Sequence, residues 1–347
     1  MKRYGNLWGQ ITSYENLALA HHNARKEKSH YKEVKTVNSN EELYLGLLQN
    51  DLINFRFTTS EYEVFDKFDG RKMRTLYKLP YYPDRIVQHA LINICGPIWE
   101  RSMIRDTFQS LKGRGTSDAR KRVQKAIKGN TGLYALKFDI SKFYPSVNNE
   151  ILKSIVRKKI KCPNTLWLID DIIDSENGIP IGNYTSQFWG NLYLTPFDWW
   201  VVQKLKPRNY FRYCDDIVLI GNSSSEMHEF KKKCFSVLSK EYNLDIKDNW
   251  QVFPIDKRLL DFCGYVFGPS CLKIRKSIAK NFKKKTKRIL GSHKRMMPAK
   301  IANCVGSYWG WCKHTQAKTL FRQRTLPIRD TILESKKRIS SIQRART

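Results

Sequence analysis

Asp215 and Asp216 lie side by side in YFRYCDDIVLI (210–220), with apolar, β-branched and aromatic residues on both sides. The flanks predict strand, tight turn and strand, with both acids at the tip. Adjacent carboxylates repel, and each raises the other's pKa unless a cation lies between them. Taken alone, an Asp-Asp pair is most simply a solvated turn, since Asp is a good turn residue. A further lone carboxylate changes that balance: Asp139 ends another apolar strand, LYALKFDI (133–140). Tyr134, Leu136, Phe138 and Ile140 alternate there with Lys137 and Asp139, the period of a strand with one buried face. Carboxylates at the ends of neighbouring strands suit an all-oxygen site for two Mg²⁺ ions, with Mn²⁺ as a substitute and the Ile140 carbonyl as a further ligand. One ion would activate a hydroxyl nucleophile, and the other would hold a triphosphate and its leaving group.

The elements that must position these acids follow from the patterning. Predicted helices cover 7–25 and 40–50, and strands cover 57–65 and 74–80. Ile86, Val87, Ala90, Leu91 and Ile94 recur at helical spacing, with Pro97 expected to end or kink that helix. Gly113-Arg114-Gly115 is a turn before a helix over 117–128. Helices are expected over 148–160 and 185–194, the second opened by the turn GIPIG (178–182), and another over 227–242.

Composition narrows the partners. The 347 residues carry 63 Lys and Arg against 32 Asp and Glu, a formal charge of +31. Such a chain repels itself unless an anion neutralises it, and nucleic acid is the commonest such partner, ahead of an anionic membrane. No apolar run approaches the roughly 18–20 residues that span a bilayer, and the start lacks a secretory pattern. The eight cysteines form no C-x-x-C pair, which points to free thiols in a reducing cytoplasm. From Phe262 to Arg329 there are 17 Lys and Arg and no acid. Within that stretch Lys283, Lys284, Lys285, Lys287 and Arg288 are a nucleic-acid-binding run rather than merely a solvated face.

Several segments together carry a resemblance. FDISKFYPS (138–146), GIPIGNYTSQ (178–187) and YCDD (213–216) resemble, in order and spacing, the palm motifs of reverse transcriptases. YYPDRIVQHAL (81–91) and KGRGTSDA (112–119) look like finger motifs of the bacterial members. LDFCGYVF (260–267) is similar to a primer-grip turn, and SYWGWCKH (307–314) to a bacterial thumb segment. The resemblance implies an α/β (α+β) right-hand polymerase fold with fingers, an antiparallel palm sheet with helices, and a helical thumb. The implied divisions are an N-terminal extension and fingers over 1–130, a palm over 131–268 with 150–185 partly a finger–palm connection, and a basic thumb and tail over 269–347. The implied partners are an RNA template, a DNA primer and its cDNA product, and deoxynucleotides, in a bacterial or phage-encoded cytoplasmic enzyme with no membrane role.

Roles carry over residue by residue. Asp139, Asp215 and Asp216 match the catalytic metal ligands. Tyr144 matches an aromatic that crowds the sugar 2′ position and so selects deoxynucleotides. Arg74 and Arg114 match positions that meet the triphosphate, for which a guanidinium fork is suited. Ile181, Gly182 and Gln187 fall in the nucleotide-binding motif, and Phe262, Cys263, Gly264 and Tyr265 in the primer grip. Lys247 aligns loosely with a lysine that protonates pyrophosphate. Ile181 stands where many relatives have Gln, and Ser186-Gln187 where many have Ser-Pro. That combination, with NLWGQITSYENLALAHHNARK (6–26), resembles the reverse transcriptases of diversity-generating retroelements, which copy a dedicated structured RNA with an accessory protein. Leu111 departs from that pattern, since those enzymes usually have Arg there; defence-associated reverse transcriptases, which share the palm and use a dedicated non-coding RNA, are the alternative. An inactive RNA-binding scaffold conflicts with the intact acids, and an RNA-dependent RNA polymerase conflicts with Tyr144.

Overall fold

A computed structural model describes residues 2–68, 73–292, 296–334 and 337; the last ten residues of the expected thumb and tail lie outside these. The strands are β1 (Glu63–Phe68), β2 (Met73–Lys78), β3 (Thr107–Phe108), β4 (Tyr134–Asp139), β5 (Asn209–Tyr213), β6 (Asp216–Gly221), β7 (Gln251–Pro254), β8 (Leu260–Phe262), β9 (Tyr265–Phe267) and β10 (Leu272–Ile274). They form an antiparallel β1–β2 hairpin, a five-stranded sheet in the order β3-β5-β6-β4-β7, and a small sheet in the order β10-β9-β8. Helices make up most of the rest, which bears out the mixed α/β class.

The chain forms two compact units. The first comprises residues 1–115, 136–219 and 225–251. It holds the carboxylates, and its helices Ile86–Glu100 and Tyr184–Tyr193 bury Ile86, Val87, Leu91, Trp99 and Trp189. The second comprises residues 116–135, 220–224 and 252–347. Its helices Lys276–Ser292 and Pro298–Cys312 enclose a core that includes Ile289, Ile301, Val305 and Ile328.

Several local expectations need correction. The helix expected over 7–25 is broken: Ser13 caps Tyr14–Ala24 by accepting from the Asn16 amide at 3.2 Å. The strand expected from Phe57 begins only at Glu63, because the Thr59 and Ser60 amides are taken by the carboxylates of Asp171 and Asp84. Pro97 does not end its helix, which continues to Glu100 because Ile98 and Trp99 still face the core.

Candidate active site

β4 and β6 are neighbours in the sheet, so Asp139 at the end of one meets Asp216 at the start of the other. The Ile140 amide donates to the Asp215 carbonyl at 3.2 Å and ties the two strand ends together. Ile140 itself is fully buried and bridges to Ile246. The tip between β5 and β6 is Cys214-Asp215, and Cys214 has φ +58°. That sign suits the primed turns that match strand twist, but it is strained for a residue with a Cβ.

A buried arginine steadies that tip. The Nη1 of Arg212 donates to the Cys214 carbonyl and to Asn191 Oδ1, each at 3.1 Å. Arg212 is in turn held by Asp198, which also accepts from Tyr210 and Thr107. Sequence reading missed this layer. One signal was present: Arg212 sits between Phe211 and Tyr213 in a strand expected to be buried, where a charge requires a partner.

Each hairpin carboxylate faces a lysine. Lys137 Nζ lies 3.2 Å from Asp216 Oδ2, and Lys247 Nζ lies 3.6 Å from Asp215 Oδ2. Burial pushes the Asp216 carboxyl up to about 7; Lys137 opposes this, and the charges of Asp139 and Asp215 add to it. Asp216 Oδ1 is buried and has no hydrogen-bond partner among the described residues. Among those residues, no three His, Cys, Asp or Glu side chains are already gathered into a metal-holding group. The donor chemistry nevertheless fits a hard divalent cation, which takes oxygen ligands and would relieve both the orphaned oxygen and the mutual repulsion.

A cavity of about 740 Å³ opens beside Asp215 and is lined by Arg74, Tyr144, Ile181 and Lys247 among others. Tyr144 Oη is 3.5 Å from the sulfur of Cys214, and burial raises its phenol pKa. The Tyr144 carbonyl accepts from the Ile179 amide at 3.0 Å. Gly178 has φ +76°, and a Cβ there would press on the carbonyls of Tyr144 and Pro145. Gly182 is constrained more severely, because a Cβ would overlap the Tyr77 carbonyl. Tyr77 donates to the Ile181 carbonyl at 2.9 Å, which brings β2 and its Arg74 to the cavity.

Other residues singled out from the sequence lie elsewhere. Arg114 donates to the Ile104 carbonyl at 3.0 Å and lies 3.9 Å from Glu100, and it does not line this cavity. Gln187 accepts from Ser110 at 2.6 Å, and it too is outside the lining. In the second unit, Cys263 (φ +50°) and Gly264 (φ +83°) form the turn between β8 and β9. Phe262 and Tyr265 on either side of that turn are buried, and Tyr265 packs against Trp311 at 4.9 Å. Lys283, Lys284, Lys285, Lys287 and Arg288 are exposed on the helix Lys276–Ser292, while Phe282, Thr286 and Ile289 form its buried stripe.

Three comparisons with known proteins bear on this arrangement. Protein YkfC of Escherichia coli is 23% identical over 219 residues, covering 50% of this chain and 57% of that protein. The chain thus spans little more than half the length of this curated relative. Apo telomerase from Candida tropicalis is similar in fold, with a TM-score of 0.51 at 12% identity over 80% of this chain and 60% of the telomerase chain. Residues 66–267, which include Asp139, Asp215, Asp216 and the cavity beside them, match the family described as reverse transcriptase (RNA-dependent DNA polymerase), and the chain belongs to that family.

Proposed function

We propose that the chain is an RNA-directed DNA polymerase, a nucleotidyltransferase that extends a DNA primer along an RNA template. The observation that carries this reading is the single cavity where Asp215 meets Tyr144, Arg74 and Lys247, beside the strand ends bearing Asp139 and Asp216. Asp139, Asp215 and Asp216 would hold magnesium, which supplies charge stabilisation for the primer hydroxyl and the triphosphate. Arg74 would bind phosphate oxygens. The Tyr144 ring would close the space at the sugar 2′ position, backed by Cys214. Lys247, which lies beside Asp215, would give a proton to departing pyrophosphate. The hairpin turn at Cys263-Gly264 would hold the primer end, and the basic helix Lys276–Ser292 would follow the duplex backbone.

Within this activity, service to a diversity-generating retroelement is the reading that Ile181 and Gln187 favour, with a structured template RNA and an accessory protein as partners. Ile181 lines the cavity with a side chain that offers no hydrogen bond to an incoming nucleotide, which suits loose copying. Antiphage defence on a dedicated non-coding RNA is the second reading, since Leu111 departs from the retroelement pattern. That residue is buried and apolar where Arg is usual for the first.

Primer extension with Mg²⁺ on an RNA template tests the activity. Asp215→Asn with Asp216→Asn is expected to abolish deoxynucleotide addition, and retained synthesis would refute the site. Sequencing the co-purifying RNA and its cDNA separates the two roles. Errors concentrated at template adenines support the retroelement, and long repetitive DNA supports defence.

A further inference from the structure

The second unit contains a cavity of about 470 Å³ that the polymerase reading does not use. It is lined by Arg120, Lys128, Lys313, His314 and Lys318, and no Asp or Glu is in its lining. Arg120 is only 5% exposed. Its Nη1 donates to Gln124 at 3.1 Å, while its buried Nε has no partner among the described residues. A buried guanidinium without a carboxylate is costly unless an anion completes it.

A second feature converges on the same space. Lys318 opens the eight-residue helix Lys318–Thr325, whose N-cap, Ala317, supplies no side-chain cap. The first-turn amides of such a helix favour an anion. Thr315 is buried and its hydroxyl accepts from the Ala317 amide at 3.1 Å, which fixes the start of the helix beside Lys313 and His314. The local field is positive: the His314 pKa is lowered by desolvation and then by the charges of Arg120, Lys313, Lys121 and Lys318.

We propose that this cavity is a phosphate-binding site, taking one phosphate group between Arg120 and the first turn of Lys318–Thr325. Two sources offer the same chemistry, an RNA backbone and free inorganic phosphate. The site does not depend on the polymerase reading, so its test uses full-length protein carrying Asp215→Asn. Inorganic phosphate is titrated while the His314 imidazole is followed by NMR. Saturable binding with a rise in the His314 pKa of about half a unit or more is expected, because the bound anion offsets its cationic neighbours. Arg120→Met should remove that response. Because a buried arginine can also matter for folding, Lys313→Glu with Lys318→Glu, both exposed, is the second variant. It should weaken phosphate binding at least ten-fold with an unchanged circular dichroism spectrum. A single-stranded RNA then identifies the source. If the backbone occupies the site, phosphate competes with RNA and the variant's salt slope falls by about 0.7 per lost contact. If free phosphate is the ligand, the variant keeps the parent's RNA affinity and slope while phosphate saturates the parent alone. No saturable His314 response in the parent, or an equal response in the Lys313/Lys318 variant, overturns the site.

Discussion

Arg212 and Asp198 face each other with both side chains fully buried, the guanidinium donating from Nε to Oδ1 at 2.8 Å and from Nη2 to Oδ2 at 2.6 Å. The pair lies beneath the carboxylate hairpin, and the remaining Nη1 donor reaches the Cys214 carbonyl. The carboxylate hairpin therefore rests on a buried ion pair rather than on apolar packing alone. Arg212→Met would leave Asp198 buried with its hydroxyl donors but no countercharge. The expected loss is roughly 3–5 kcal/mol in urea unfolding. Arg212→Lys should recover only part of it, since one ammonium cannot reproduce a bidentate fork. Full recovery by lysine would show that charge alone matters here.

Tyr144 is fixed from two directions. Its hydroxyl meets the Cys214 sulfur, and its backbone is pinned by Ile179 and by the close approach of Gly178. A ring held this firmly can discriminate by shape rather than by hydrogen bonding. Tyr144→Ala is expected to raise ribonucleotide over deoxynucleotide incorporation at least ten-fold, about 1.4 kcal/mol of lost discrimination. Comparing kcat/KM for the two nucleotide classes measures it. An unchanged ratio removes the gating role.

The parts of this site that were legible in the sequence are those written in local pattern. Alternation around Asp139 and across 210–220 marks strands because one face of each must be buried, and the paired acids then have to fall at the tip. GIPIG was readable as a turn, although the reason for Gly182 was not, since it lies in the carbonyl of Tyr77 about a hundred residues earlier. The Arg212–Asp198 pair was missed for a related reason: the partners are 14 residues apart on different elements, and nothing local links them. Arg114 and Gln187 look like ligand contacts as isolated residue types. Their neighbours Glu100 and Ser110 become visible only when the chain is folded.

His89 offers a pH test remote from the carboxylates. Its ring stacks on Tyr184 at 3.6 Å, and both ring nitrogens are buried without partners among the described residues. Burial, with help from the Arg85 charge, pushes its pKa from 6.5 down to about 3. The folded state therefore resists a proton that the unfolded chain accepts below 6.5. The neutral-ring contribution is complete above that pH and is lost as pH falls toward 3, at about 1.4 kcal/mol per pH unit. His89→Phe keeps an aromatic face against Tyr184 and removes the titration. Between pH 6.5 and 4.5 the parent should lose roughly 2–3 kcal/mol more than this variant in urea melts. Parallel pH profiles would place His89 in a solvated setting.

The basic helix Lys276–Ser292 separates charge from stability by geometry. Phe282, Thr286 and Ile289 face inward, while Lys283, Lys284, Lys287 and Arg288 are exposed. Replacing these four cations with Gln should leave the melting temperature within a degree or two, because exposed substitutions typically cost under about 0.5 kcal/mol. Affinity for an RNA–DNA hybrid should fall at every sequence tested. The slope of log K against log salt should shrink by up to about 0.9 for each phosphate contact removed, as on duplex DNA. The pairing of the two measurements is decisive. A loss of stability would mean that the cations support the fold, whereas an unchanged salt slope with intact stability would mean that this face is solvated and that the template–primer runs elsewhere.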